Sequence, residues 1–403
     1  MLKKLLLVVL VGLVSCNKKE VFEQEVTTII DPLEKCVNGM AGLYPCKDYD
    51  LLAHIPLDTF FNSTSGNDSW GWTDPVTSKE YALMGTNKMV AFLDITEPKT
   101  PLFIGYLNTQ TVASSWRDIK VYNNYAFIVS EAENHGMQVF DLTRLRNIDN
   151  PPKEMSNDAF YSEFGSAHNI VINEESGYAY AVGTTTYAGG PHFIDISDPL
   201  NPTAAGGFSA GGYSHDAQVV TYHGPDTDYI GKEILIGSNE NEIVIADVSD
   251  KRRPATIATI AYPNIGYTHQ GWFTEDQKYF LLGDELDELR FGGSTRTIVF
   301  DFTDLDNPIL HTEYLSPTNA IDHNGYIKDN TFYLANYSAG VRMIDVSNIG
   351  AKNLTEVGFF DTFPTNNLAA FNGVWNVYPY FESGNIIISD INGGFFIIRK
   401  SGT

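Results

Sequence analysis

Phe193-Ile194-Asp195-Ile196-Ser197, running on into Asp198-Pro199-Leu200-Asn201-Pro202, is the phrase that decides the fold. An apolar run broken by one aspartate and closed by serine and a proline-rich turn reads as a buried strand with a sharp end. The phrase recurs as Phe92-Leu93-Asp94-Ile95-Thr96, Val139-Phe140-Asp141-Leu142-Thr143 and Ile245-Ala246-Asp247-Val248-Ser249. It returns again as Val299-Phe300-Asp301-Phe302-Thr303 and Met343-Ile344-Asp345-Val346-Ser347. Successive aspartates lie 47, 54, 52, 54 and 44 residues apart. A seventh copy, Phe395-Phe396-Ile397-Ile398-Arg399, carries arginine in the aspartate's place.

Each unit divides into four short strands separated by turn residues. In the unit around Asp195 they fall at 168–172, 178–182, 192–196 and 203–208, with Glu174-Glu175-Ser176-Gly177 and 198–202 as turns. No stretch of this region keeps a helical period. Four strands at a period near 50 residues are the mark of propeller blades. We therefore expect an all-β, seven-bladed β-propeller over 49–403. The recurring aspartates are expected to accept backbone N–H groups in the turn after their strand. The last unit ends one strand short, whereas 50–57 offers a spare strand before the first unit. This strand should pair beside 395–399 and close the ring, removing the open edges.

The segment ahead of the propeller reads as an address. Lys3 and Lys4 precede an apolar run that ends at Leu13-Val14-Ser15-Cys16. That is a lipoprotein signal peptide over 1–15, cleaved before an acylated Cys16, and the run is too short to remain as a spanning helix. Residues 16–35 form a polar tether, and 36–48 form a stapled lead-in to the propeller. With Cys16 lipidated, only Cys36 and Cys46 are left, and an oxidising compartment favours their disulfide. The chain holds 26 basic and 50 acidic residues, a formal charge of −24. Such a surface argues against nucleic acid and against anionic lipid as partners. The expected location is the outer membrane, held by the lipid and facing the cell surface, with the periplasmic face as the alternative.

The repeated phrase resembles the LVIVD repeat. The mature chain resembles the choice-of-anchor B family through Cys36 to Cys46, Asn67-Asp68-Ser69-Trp70-Gly71-Trp72 and Trp116-Arg117-Asp118. Further matching stretches are Ala167-His168-Asn169, Ser214-His215-Asp216, Gly283 to Glu288 and Asp322-His323-Asn324. The resemblance implies a propeller at the bacterial surface and implies no reaction.

Nine histidines occur, and four of them share one register. His168, His215, His269 and His323 each open a blade, and each precedes Asn, Asp, Gln or Asn. They follow the preceding repeat aspartate by 27, 20, 22 and 22 residues; Arg117 follows Asp94 by 23. First strands line a propeller's channel, so residues far apart in sequence become a ring. A histidine and its successor point to opposite faces of the strand.

Three readings of the ring stay open. The histidines pin loops structurally. They hold a transition metal, since neutral imidazole suits iron, copper, zinc and nickel; carotenoid-cleaving oxygenases offer a four-histidine analogy between folds. Or, with Arg117 as a fork, they bind a small anion. Calcium has weaker candidates in Asp226 and Asp228 and in Asp284 and Glu285, with Asp287 and Glu288 beside them. Gly207-Phe208-Ser209-Ala210-Gly211 matches a hydrolase elbow by chance, because no helix is expected after it. No catalytic residue is assigned. The leading expectation is a surface binding or scaffold module. The alternatives are a metal-dependent, oxidoreductase-like enzyme and an accessory subunit docked on an outer-membrane protein.

Overall fold

A computed structural model describes residues 33–403. The signal peptide, Cys16 and most of the tether lie outside the described residues. Among the described residues no helix is long and apolar enough to cross a membrane.

Seven antiparallel sheets, each with a core of four strands, stand around one axis. Their inner strands are Gly66–Thr73, Arg117–Tyr122, Asn169–Asn173, Asp216–Thr221, Thr268–Phe273, Gly325–Lys328 and Val374–Tyr378, which define blades one to seven. The repeat phrase supplies the third strand of each blade, as in His192–Asp195 and Ile243–Asp247. Its apolar residues are fully buried, Phe193 and Ile194 among them. They interdigitate with neighbouring blades to form a continuous wall of core, which is where the hydrophobic driving force lies.

The six repeat aspartates act as turn clamps. The N–H groups of Thr96, Thr143, Ser197, Ser249, Thr303 and Ser347 donate to Asp94, Asp141, Asp195, Asp247, Asp301 and Asp345, at 2.8–3.1 Å. Each carboxylate satisfies a donor that the end of the strand would leave bare. In the seventh unit Arg399 instead donates to Asn385 Oδ1.

The ring closes through Tyr49–Pro56, which pairs antiparallel with Gly394–Lys400 from Tyr49 opposite Lys400 to Pro56 opposite Gly394. Asp50 ties the stapled lead-in to the C-terminal residues: its Oδ1 accepts from the Cys36 N–H at 2.8 Å and the Ser401 hydroxyl at 2.7 Å. Cys36 and Cys46 are disulfide-bonded. The stapled hairpin does more than lead in, for Cys46 and Lys47 pair with Phe360 and Phe359 on the edge of blade six. Blade one also gains a strand, Lys153–Met155, parallel to Leu102–Asn108. Both additions cover outer edges that would otherwise present unpaired N–H and C=O groups.

Candidate functional site at the channel mouth

The alternation along the inner strands sorts the channel into two rings. The histidine position is occupied by Asn67, Arg117, His168, His215, His269, His323 and Trp375; the next position is Asp68, Asp118, Asn169, Asp216, Gln270, Asn324 and Asn376.

The second ring bolts blade to blade. Asp68 accepts the Ile119 N–H and Asp118 the Ile170 N–H, both at 2.8 Å. Asn169 donates to the His215 carbonyl, and Gln270 both donates to and accepts from Gly325. Asn324 donates to Asn376, which donates onward to Asp68 and Ser69. Asp216 accepts from the Ala217 N–H of its own strand, and blades four and five are joined instead by the Phe273 N–H donating to Gln218 Oε1. Three carboxylates of this ring share one cation. Lys120 Nζ lies 2.8 Å from Asp118 and 3.5 Å from Asp68. Burial pushes Asp68 up, and burial aided by the charge of Asp118 lifts Asp216 to about 7.

The first ring makes the site. The imidazoles of His168, His215, His269 and His323 stand in a row, with successive centroids 4.0, 4.4 and 4.4 Å apart. His215 Nδ1 lies 3.1 Å from the His269 carbonyl, and His323 Nδ1 lies 2.5 Å from the Trp375 carbonyl. A carbonyl only accepts, so both Nδ1 atoms carry the proton and each Nε2 is left with its lone pair. His168 Nδ1 pairs with Glu131 at 2.6 Å. Burial, reinforced by the neighbouring imidazoles, holds His215 and His269 well below the ordinary histidine range, and burial pushes His323 down to about 3.

Glu285 faces this row. Its Oε1 lies 3.7 Å from His323 Nε2 and its Oε2 lies 3.8 Å from His269 Nε2. Tyr337 donates to Oε1 at 2.8 Å. Burial raises the carboxyl to about 7. The residue was expected only as an oxygen ligand of an acidic loop, paired with Asp284. The two part company because consecutive residues turn opposite ways: Asp284 is buried against Tyr262 and the Gly266 and Tyr267 N–H groups. Asp287 and Glu288 are likewise engaged with Arg296.

The four histidines and Glu285 open into one cavity of about 420 Å³, rimmed by Trp116, Tyr337, Phe371 and Trp375. Trp116 and Phe371 are 47% and 48% exposed. The opposite end of the inner strands holds a second cavity of about 380 Å³, where Trp70, Trp272, Tyr378 and Tyr380 gather. Trp72 is core.

Arg117 shares the histidines' strand position but does not reach the cavity. It is 2% exposed, and its guanidinium donates to the Thr86 carbonyl and contacts His135 Nε2 at 3.0 Å, between blades one and two. A longer side chain at that position is absorbed by the blade interface, so the expected anion fork is not presented to the site. Asp226 meets Asp304 and Asp306 on the outside, where these carboxylates accept loop N–H and hydroxyl groups. Asp228 takes no part in that group.

No protein family matches the chain, and no curated protein matches it by sequence. Solved structures do share its fold. The β-propeller domain of Cps50 (Swd1) from Myceliophteria thermophila is 8% identical, with a TM-score of 0.54 over 83% of this chain and 98% of that one. Hydrazine synthase from Kuenenia stuttgartiensis is 12% identical, with a TM-score of 0.54 over 80% of this chain and 93% of that one. At these identities the likeness is one of fold. The chain is a seven-bladed β-propeller.

Proposed function

We propose that this protein is a binding module of the bacterial surface, held by an acylated Cys16, that takes a small ligand in the histidine-lined cavity. One observation carries the reading: four imidazoles, one carboxylate and exposed aromatic rings converge on a single open concavity. The second ring of hydrogen bonds holds the walls rigid, so little ordering is left to oppose binding. The ligand that fits has a flat or apolar part for Trp116 and Phe371. It also has a group offering or receiving lone pairs toward the imidazoles. The resemblance to choice-of-anchor B proteins and the acidic surface support the anchored setting, with outer-membrane proteins as neighbours.

The test uses the full-length chain and a panel of sugars, carboxylic acids and heteroaromatic compounds. Tryptophan fluorescence and thermal midpoint are read together. At least one compound should quench saturably and raise the midpoint, and Trp116→Ala with Phe371→Ala should abolish both effects. If no compound acts, or if the rim variant binds equally well, the cavity is not a ligand site.

A further inference from the structure

We infer that the cavity floor is a transition-metal site, with His215, His269 and Glu285 as its ligands and His323 at its flank. The inference deepens the binding reading, because the ion would present its open positions to whatever the cavity holds.

Ligand atoms of His215, His269 and Glu285 all lie within 4.8 Å of one another. The separations of Glu285 from His269 and His323, 3.8 and 3.7 Å, are too long for hydrogen bonds. They are close to what an ion imposes, since donors about 2.1 Å from a metal stand roughly 3–4 Å apart. The space between these groups is therefore the size of a cation rather than of a shared proton.

His269 gives an independent sign. The residue is 2% exposed, yet Nδ1 is buried with no hydrogen-bond partner. Its Nε2 faces Glu285 beyond bonding distance. An imidazole that left water and gained nothing in return is a costly core residue. A metal bond at Nε2 would give the ring one polar partner, while Nδ1 stays buried without one.

The surroundings are those of ligands already aimed. His215 donates Nδ1–H to a backbone carbonyl, which fixes its tautomer and turns Nε2 inward. Tyr337 holds Oε1 of Glu285 and leaves Oε2 free. Two imidazoles and one carboxylate leave positions open, as in catalytic rather than structural metal sites. The donor set suits zinc, iron(II), manganese or cobalt, and it lacks the several oxygen donors that calcium requires.

The decisive measurement is a Co2+ titration of the full-length chain, made without a histidine tag and stripped with chelator. Visible absorption reads coordination, and mass spectrometry of the untreated protein reads native metal. One equivalent of Co2+ should bind with a visible band. His269→Ala should weaken binding at least 100-fold and Glu285→Gln by about 10–100-fold, whereas Asp304→Asn with Asp306→Asn, on the outer acidic group, should change nothing. Absence of a band, or equal affinity in His269→Ala, overturns the site. If His269→Ala fails to fold by circular dichroism, the near-isosteric Glu285→Gln decides alone. A chain that takes no Co2+ but still binds a compound from the panel loses the metal and keeps the binding reading; the reverse result removes the ligand and keeps the metal.

Discussion

The hydroxyl of Tyr337, in blade six, donates to Oε1 of Glu285, in blade five, at 2.8 Å, so the carboxylate facing the histidines is aimed by a neighbouring blade. Tyr337→Phe removes that bond and leaves the ring in place. Co2+ affinity should fall by about tenfold with the fold unchanged, as read by the same visible band. An unchanged affinity would show that packing alone positions Glu285.

Lys120 is the one ammonium among Asp68, Asp118 and Asp216 in the second ring. Lys120→Met would strand buried carboxylates without a counter-charge. Urea unfolding should show a loss of about 3–5 kcal/mol, part of which Asp118→Asn restores in the double variant. A loss under about 1 kcal/mol would mean that the ring carboxylates are held by backbone donors and do not need the lysine.

Ring closure makes the first and last blades one unit. Leu52, 1% exposed, sits in the closing strand against Ile387 and Ile397. Leu52→Ala should cost about 2–5 kcal/mol. Deletion through Leu57 should abolish a cooperative transition, and a peptide spanning 48–57 should restore it in trans. Cys36→Ser with Cys46→Ser is the control, for it should lose at most about 3 kcal/mol of loop entropy and keep the ring.

Asp361 lies in the blade-six edge, 3% exposed, where burial lifts its carboxyl to about 6. Arg342 opposes the rise and Asp390 adds to it. A folded value above the unfolded one, near 3.9, contributes stability that is intact below about pH 4 and lost as pH climbs through 6. Asp361→Asn removes the penalty while keeping the Oδ1 acceptor for the Phe363 N–H. The variant should match the wild type in urea at pH 4 and exceed it at pH 8, by on the order of 3 kcal/mol. Equal stability at pH 8 would mean that Arg342 compensates the charge.

Local patterning was enough to read the blades. The buried strand with its closing turn at Phe193 to Ser197 occurs six times with its aspartate and a seventh time with arginine in that place, and a strand that must bury both faces can be satisfied only by neighbours of its own kind. The closing strand at 49–56 was legible for the same reason, because the count of strands at the two ends had to match. The shared register of four histidines also announced a ring, since equivalent positions on successive blades lie at one depth around one axis.

Which side chains of that ring meet was decided only by the tertiary structure. Arg117 holds the register yet is drawn into the interface with Thr86 and His135, because a long side chain can reach past its own strand. Glu285 lies outside the register, after a second strand, and arrives beside His269 because of how blade five ends. The stapled hairpin at 36–46 settles on blade six and not on the seventh, where the chain next goes. Spacing along a chain sets the order of strands and the face of each residue. The direction a side chain takes from there depends on the neighbour that offers it a partner, and that neighbour is some 50 residues away in sequence.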